Sequence, residues 1–474
     1  MLFSSLEFVL FFLPVVVIVN LLLPRRFQNV WLCAASLFFY AWGEPTFVYT
    51  MMASIVINYL FALKIEENRE RKALSRMILW LDLLINLGIL FVFKYMNFTT
   101  SILHSFNENV TVTNYILPIG ISFYTFQALS YVVDVYRGEK AQKNILYTAL
   151  YISFFPQLIA GPIVRYSEIK DQIDNRGMSF DKFSDGILRF LIGFNKKMLV
   201  ANVLSNAADI SFAADKNTVL MAWIGAICYT LQIYYDFSGY SDMAIGLAKM
   251  FGFEFQENFN YPYISKTVTE FWRRWHISLG HWFRDYVYFP LGGSRVSTKG
   301  RIVFNLMVVW LLTGIWHGAN TTFIVWGVAY GVLISIEKVF NIPGRLKEHK
   351  KISILYQIFT MFAVIIGWVV FRSDSLSVAV RHVADMFGLR QGGLYNAADV
   401  FYLKEYGAFM IAGAMLSLPL IRWSGEKLYG LKGMNEVGKS VIDGIFYLIN
   451  IGLFLIGISY LVISAHNPFI YFNF

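Results

Sequence analysis

The sequence predicts an all-α polytopic membrane protein with about eleven to twelve transmembrane helices. Of its 474 residues 57% are hydrophobic, 18% aromatic and only 15% charged, which leaves too little polar surface for a soluble domain. Apolar runs able to cross about 30 Å of hydrocarbon recur from end to end. The excess of Lys and Arg, +9 overall, sits in short clusters between those runs, as positive-inside loops do. Nucleic acid is therefore not expected as a partner, whereas membrane lipids are.

The first expected span, 2–23, reads as retained. It contains Glu7, has no basic leader and reaches Pro24-Arg25-Arg26 without a small-residue cleavage site. Further spans are expected at 29–42, 47–63, 77–93, 115–135, 187–203 and 219–235, then at 303–316, 323–336, 354–371, 407–420 and 442–464. Segment 146–163 is also apolar, but Pro156, Gly161 and Pro162 predict a broken or re-entrant piece, tolerated only where protein or a cavity surrounds it. Cys33 and Cys228 lie inside apolar runs and read as small buried hydrophobes.

Basic clusters at Arg25-Arg26, 64–76, 137–143, 295–301, 345–351 and 422–439 alternate with loops poor in Lys and Arg. If the basic loops are cytoplasmic, both termini and the 97–114 loop face outward. Lys196-Lys197, inside an expected span, and Arg372, Arg381 and Arg390, in an expected outer loop, fit this scheme less well. No repeat or long linker divides the chain, so residues 1–474 read as a single membrane domain.

Residues 263–290 read as a cytoplasm-side amphipathic segment. At about 100° per residue, Phe271, Trp272, Trp275, Leu279, Trp282, Phe283 and Tyr286 share one sector, and Arg273, Arg274, His281, Arg284 and Asp285 lie outside it. Such a helix anchors in the interface or lines a cavity opening to it. Arg273, Arg274 and Arg284 would then dock an anionic donor, a coenzyme A phosphate or an acidic carrier. His276 falls at the edge of the aromatic sector, and Gly280 costs the helix about 1 kcal/mol, enough to allow a break there.

His317 ends an uncharged apolar run, flanked by Gly314 and Gly318. Ionisable residues at membrane depth are costly and mark function, and a neutral imidazole there suits a general base. Tethering two helices through a hydrogen bond is the structural alternative. Asp236 and Ser238 could orient a histidine or hold a substrate hydroxyl, although their spacing favours N-caps of a helix at 243–250. Gln157 sits among helix breakers in 155–162, and Asn320 follows His317 closely; both are candidate tunnel or orienting residues. There is no Walker loop, HExxH, GxSxG or CxxC pattern, and no metal site is expected.

Several motifs converge on one resemblance. Phe271-Trp-Arg-Arg-Trp-His276, Trp282-Phe-Arg-Asp285-Tyr, Tyr288-Phe-Pro-Leu-Gly-Gly and Gly314-Ile-Trp-His317-Gly318 are joined by Tyr235-Asp236-Phe-Ser-Gly-Tyr, Leu117-Pro-Ile-Gly-Ile-Ser-Phe and Phe155-Pro-Gln-Leu-Ile-Ala-Gly-Pro. Together they resemble the membrane-bound O-acyltransferase family, in its bacterial branch of alginate O-acetyltransferases and teichoic-acid D-alanyl transfer proteins. The resemblance runs from the first span to the last residue. It implies helices around a central tunnel in a bacterial cell membrane, with His317 catalytic and His276 a second, cytoplasm-side histidine. It also implies an acyl thioester from the cytoplasm, an acceptor hydroxyl from outside and an extracytoplasmic esterase-like transferase as partner. Residues 469–474, Phe-Ile-Tyr471-Phe-Asn-Phe, resemble a C-terminal FxYxxF motif whose tyrosine is proposed to carry the acyl group; an interfacial aromatic belt is the alternative.

The expected activity is transfer of an acyl group, acetyl from acetyl-CoA ahead of D-alanine from a carrier protein, toward a cell-surface polysaccharide. Acetyl-CoA enters as substrate, and no permanently bound cofactor is expected. A transporter or a non-catalytic scaffold for the outer transferase are the rival classes. The sequence shows no pair of matching broken helices of the inverted-repeat kind to support transport.

Overall fold

The computed structural model describes residues 1–430 and 436–463, so the 469–474 motif and Tyr471 lie outside the described residues. Helix is the regular structure throughout these residues, with no strand among them. Among the described residues six helices are long and apolar enough to cross a membrane: Val48–Glu67, Lys72–Phe106, Lys299–His317, Thr321–Val339, Lys350–Arg372 and Glu436–Ile463. A pair bent by 54°, Ala397–Leu416 with Leu420–Tyr429, makes a seventh if taken as one span. Several anticipated crossings are short, such as Phe8–Leu22 and Ile121–Tyr136. Val219–Met250 is long enough but carries Gln232, Asp236, Asp242 and Lys249.

The chain forms two compact units, residues 1–190 with 243–256, and residues 191–242 with 257 onward. In the first, the expected broken segment is present. Helix Ile145–Ser153 ends at Phe154, and the four-residue helix Phe155–Leu158 follows with Pro156 in its first turn. Its backbone is covered by protein, as a non-spanning piece requires. Phe155 sits 5.4 to 6.4 Å from the rings of Phe3, Phe8, Phe12 and Phe39, and its N–H donates to Ser36 Oγ at 3.1 Å. Gly120 is left-handed at φ +76°, and a Cβ there would stand 2.6 Å from the Leu158 carbonyl oxygen. Only glycine meets both demands.

In the second unit, Lys299–His317 and Thr321–Val339 form an antiparallel hairpin joined by Gly318-Ala319-Asn320. The Asn320 side chain accepts from Thr322 N–H at 3.0 Å and donates to the Asp374 carbonyl at 2.9 Å, so it caps the second helix. Glycines let the two backbones touch, the small-residue packing that lipid-embedded helices use. A Cβ on Gly314 would lie 2.5 Å from the Phe323 carbonyl oxygen, and one on Gly327 would lie 2.5 Å from that of Trp310. Gly327→Ala should therefore lower stability by about 1–3 kcal/mol, the range for overpacking. A lowered unfolding temperature of the purified protein in detergent is the expected result.

Val219–Met250 runs for 32 residues without a break. Asp236 and Ser238 are consequently mid-helix, and the N-cap expectation is corrected. The carboxylate is instead paired with a lysine, Lys197 Nζ lying 2.6 Å from Asp236 Oδ1, with both side chains 2% exposed.

Candidate active site

The aromatic and basic segment folds as two short helices, not one amphipathic rod. Val268–Arg274 begins with Thr267 Oγ1 accepting from Glu270 N–H at 3.1 Å. Glu337, fully buried, accepts from the N–H groups of Val268 and Thr269 at 2.8 and 2.7 Å. The orphan donors of that helix start are thereby satisfied. The break comes at His276, which is left-handed at φ +45°, not at Gly280. Few non-glycine residues adopt that conformation, and it costs about 1–3 kcal/mol where the surroundings enforce it. Ile277–Phe283 then resumes the helix.

The aromatic face is not laid into lipid. Phe271, Trp275, Leu279, Trp282 and Phe283 are all buried. Trp272 packs edge-on against Trp310, Trp326 and Tyr330, with ring centroids 4.9 to 5.3 Å apart. The anchor expectation thus gives way to its alternative, a cavity wall. The cavity measures about 210 Å³ and is bounded by Trp272, Trp275, His276, Leu279, Gly280, Phe283, Arg284, Tyr288, Leu306, Val309, Trp310, Thr313 and His317. The two histidines, 41 positions apart in sequence, open onto the same space.

His317 is buried at the last position of its helix. Its ring meets Trp316, Trp326 and Phe371 edge-on at centroid distances of 5.0, 5.2 and 5.1 Å. This box fixes the imidazole plane by packing. Thr313, one turn earlier on the cavity wall, spends its hydroxyl proton on the Val309 carbonyl at 2.8 Å. Trp272 was expected only as part of an apolar face; its buried indole N–H has no acceptor among the described residues. It is a donor on the cavity wall that periodicity does not reveal.

His276 is held differently. Nδ1 lies 3.1 Å from Asn258 Oδ1, and Phe237 meets the ring edge-on at 4.6 Å. Nε2 is buried with no hydrogen-bond partner among the described residues. Burial pushes the imidazole pKa down to about 3, because desolvation penalises the cation. It is neutral at physiological pH.

The three arginines are placed unequally. Arg273 is exposed. Arg274 is engaged by Glu270 at 2.9 Å and donates to the Asn260 carbonyl at 3.0 Å. Arg284, which borders the cavity, pairs with Asp285 at 2.7 Å. Asp236, Ser238 and Asn320 do not line this cavity. Gln157 belongs to the other unit. Its amide N–H donates to the Tyr151 carbonyl, while its Oε1 has no partner among the described residues.

Two buried histidines share one largely apolar cavity in a helical chain that carries several apolar helices of membrane-crossing length. Residues 74–380 match the profile of MBOAT, the membrane-bound O-acyltransferase family; the chain belongs to that family and is an acyltransferase. It is 45% identical over 393 residues to the "Probable alginate O-acetylase AlgI" of Azotobacter vinelandii, covering 82% of this chain and 78% of that one. It is 34% identical to the "Peptidoglycan O-acetyltransferase" of Helicobacter pylori, covering 100% of this chain and 98% of that one. Similarity to the "Teichoic acid D-alanyltransferase" of Bacillus subtilis is 30% over 277 residues, covering 54% of this chain and 69% of that one.

Proposed function

We propose that the protein moves acetyl groups from acetyl-CoA on the cytoplasmic side to a hydroxyl on the outer side of a bacterial cell membrane, for O-acetylation of a cell-surface polysaccharide. The observation that carries the reading is the single cavity shared by His276 and His317. The similarity to two proteins named O-acetylase or O-acetyltransferase spans far more of the chain than that to a D-alanyltransferase, which favours acetyl over D-alanyl.

His317 takes the proton of the acceptor hydroxyl as its oxygen attacks the thioester carbonyl. The new O–C bond forms, the C–S bond breaks, and the thiolate leaves with a proton returned from His317. The apolar walls exclude water that would otherwise hydrolyse the thioester, and the confined space holds both reactants in line. Arg273 and Arg284 attract the phosphates of the donor. Tyr471 is the acceptor, since a phenol with pKa of about 10 ionises more readily than a sugar hydroxyl. An extracytoplasmic esterase-like transferase then delivers the acetyl group to the polymer. Both chain termini face that side in this reading.

The test is incubation of the purified protein with acetyl-labelled acetyl-CoA. Label should appear on the wild-type chain and vanish in Tyr471→Phe. If the wild type neither becomes labelled nor consumes the thioester, the reading fails.

A further inference from the structure

We infer that Asn258 is the positioning residue that fixes His276 in its Nδ1–H tautomer, leaving Nε2 as a hydrogen-bond acceptor for the substrate in the cavity. The inference rests on the acyl-transfer reading above and goes further, because it assigns His276 a role distinct from the proton transfer of His317.

The tautomer follows from the partners of Asn258. Its Oδ1 receives the backbone N–H of Ser278 at 3.2 Å and the Ser278 hydroxyl at 2.9 Å. A backbone N–H can only donate, so the amide atom facing it is the oxygen. The opposite amide nitrogen donates to Ser241 Oγ at 3.0 Å, which agrees with that orientation. An amide oxygen can only accept, and it lies 3.1 Å from His276 Nδ1, whereas the Ser278 hydroxyl is 3.5 Å from Nδ1 and donates to that same oxygen at 2.9 Å, so Nδ1 carries the ring proton. Nε2 then bears the lone pair.

The backbone reinforces the arrangement. Ile277 N–H donates to the Asn258 carbonyl at 3.0 Å, tying the loop that carries Asn258 to the residue after His276. The left-handed φ of +45° at His276 turns the chain so that Ser278 and the imidazole reach the same amide oxygen. A buried acceptor without a partner is expensive unless something fills it. No donor on the cavity wall, the Trp272 indole N–H included, reaches His276 Nε2 among the described residues. The missing partner is therefore an N–H or O–H of the bound substrate, and for a thioester carried on pantetheine it is an amide N–H of that arm.

The test reads the tautomer directly. In protein labelled with nitrogen-15 histidine, the nitrogen spectrum should show His276 neutral at pH 7, with the proton on Nδ1 and a bare Nε2. Asn258→Leu removes the acceptor and should mix the tautomers while raising KM for acetyl-CoA about tenfold or more, the worth of one lost hydrogen bond of about 1.4 kcal/mol. Asn258→Asp has the same shape and keeps Nδ1 protonated. Its carboxylate accepts the same Nδ1–H and leaves Nε2 bare, so the wild-type tautomer should be retained. A wild-type proton on Nε2 overturns the assignment. So does a folded Asn258→Leu that keeps the wild-type tautomer or a KM within about twofold of wild type, or a folded Asn258→Asp that loses that tautomer. The spectrum needs no turnover, so a wild-type protein that ignores acetyl-CoA would sink the acetyl reading and leave the tautomer assignment to stand or fall alone.

Discussion

Replacing His317 by Ala should lower acyl transfer by about 10³-fold or more while leaving protein abundance unchanged. A positioned general base contributes about 10²–10⁴ in rate, and 10³ corresponds to about 4 kcal/mol of barrier. The loss falls on chemistry because the imidazole sits on the cavity wall, its plane set by Trp316, Trp326 and Phe371. His317→Gln, which better preserves the packed volume in that box, should be equally inactive. Transfer from labelled acetyl-CoA, read beside immunoblot abundance and the unfolding temperature, checks the expectation. A folded, active His317→Ala would remove His317 from the mechanism. A fall in abundance that tracks the fall in activity would assign it to the helix-tethering alternative instead.

The histidine pair was legible in the sequence because both features that betray it are local. One is an ionisable group at the end of an uncharged run; the other is a motif with dense aromatics. What surrounds the pair was not legible, since it depends on contacts between distant positions. Helical periodicity sorted the aromatic face of residues 271–286 correctly, but a wheel carries no φ angle, so it pointed to Gly280 and missed the left-handed turn at His276. Glu337 directly follows the expected span 323–336, and no sequence pattern singles it out. It is in fact fully buried and holds two backbone N–H groups of the helix that leads to His276. Asn258 lies in a loop with no pattern to single it out, and only folding brings it against His276 and Ser278.

The fold itself was read from composition and run length, which sufficed for a helical membrane protein, while several expected crossings are not long, uniformly apolar helices in the structure. Apolar runs were scored as if each met lipid alone. Val219–Met250 shows what run length alone leaves out. Gln232, Asp236, Ser238, Ser241 and Asp242 on it are all buried, a polar load that lipid would not tolerate. The misfit of Lys196 and Lys197 within an expected span has the same origin. Lys196 Nζ reaches Asp242 Oδ2 at 2.6 Å and Lys197 Nζ reaches Asp236 Oδ1 at 2.6 Å. Two anomalies of charge, 39 positions or more apart, cancel each other in the fold.

Lys197→Met should be the most destabilising single change in this part of the chain, at about 3–5 kcal/mol, the cost of stranding one member of a buried ion pair. Both partners are 2% exposed, so neither water nor salt screens the carboxylate left behind. The Lys196–Asp242 pair, with the lysine side chain 29% exposed, is the internal comparison. Lys196→Met should cost far less, because a half-open pair contributes about 1 kcal/mol or less. The double change Lys197→Met with Asp236→Leu removes both charges together and should recover most of the loss, since an apolar pair of similar volume is often neutral or better. Unfolding temperatures of the four purified proteins in detergent decide this, and a double variant no more stable than Lys197→Met would show that the pair is not the source of the cost. The same double variant separates two roles for Asp236. If it folds and transfers acetyl groups normally, Asp236 serves only to neutralise Lys197. If it folds and is inactive, the carboxylate orients the chemistry as well, although it stands outside the cavity that His276 and His317 share.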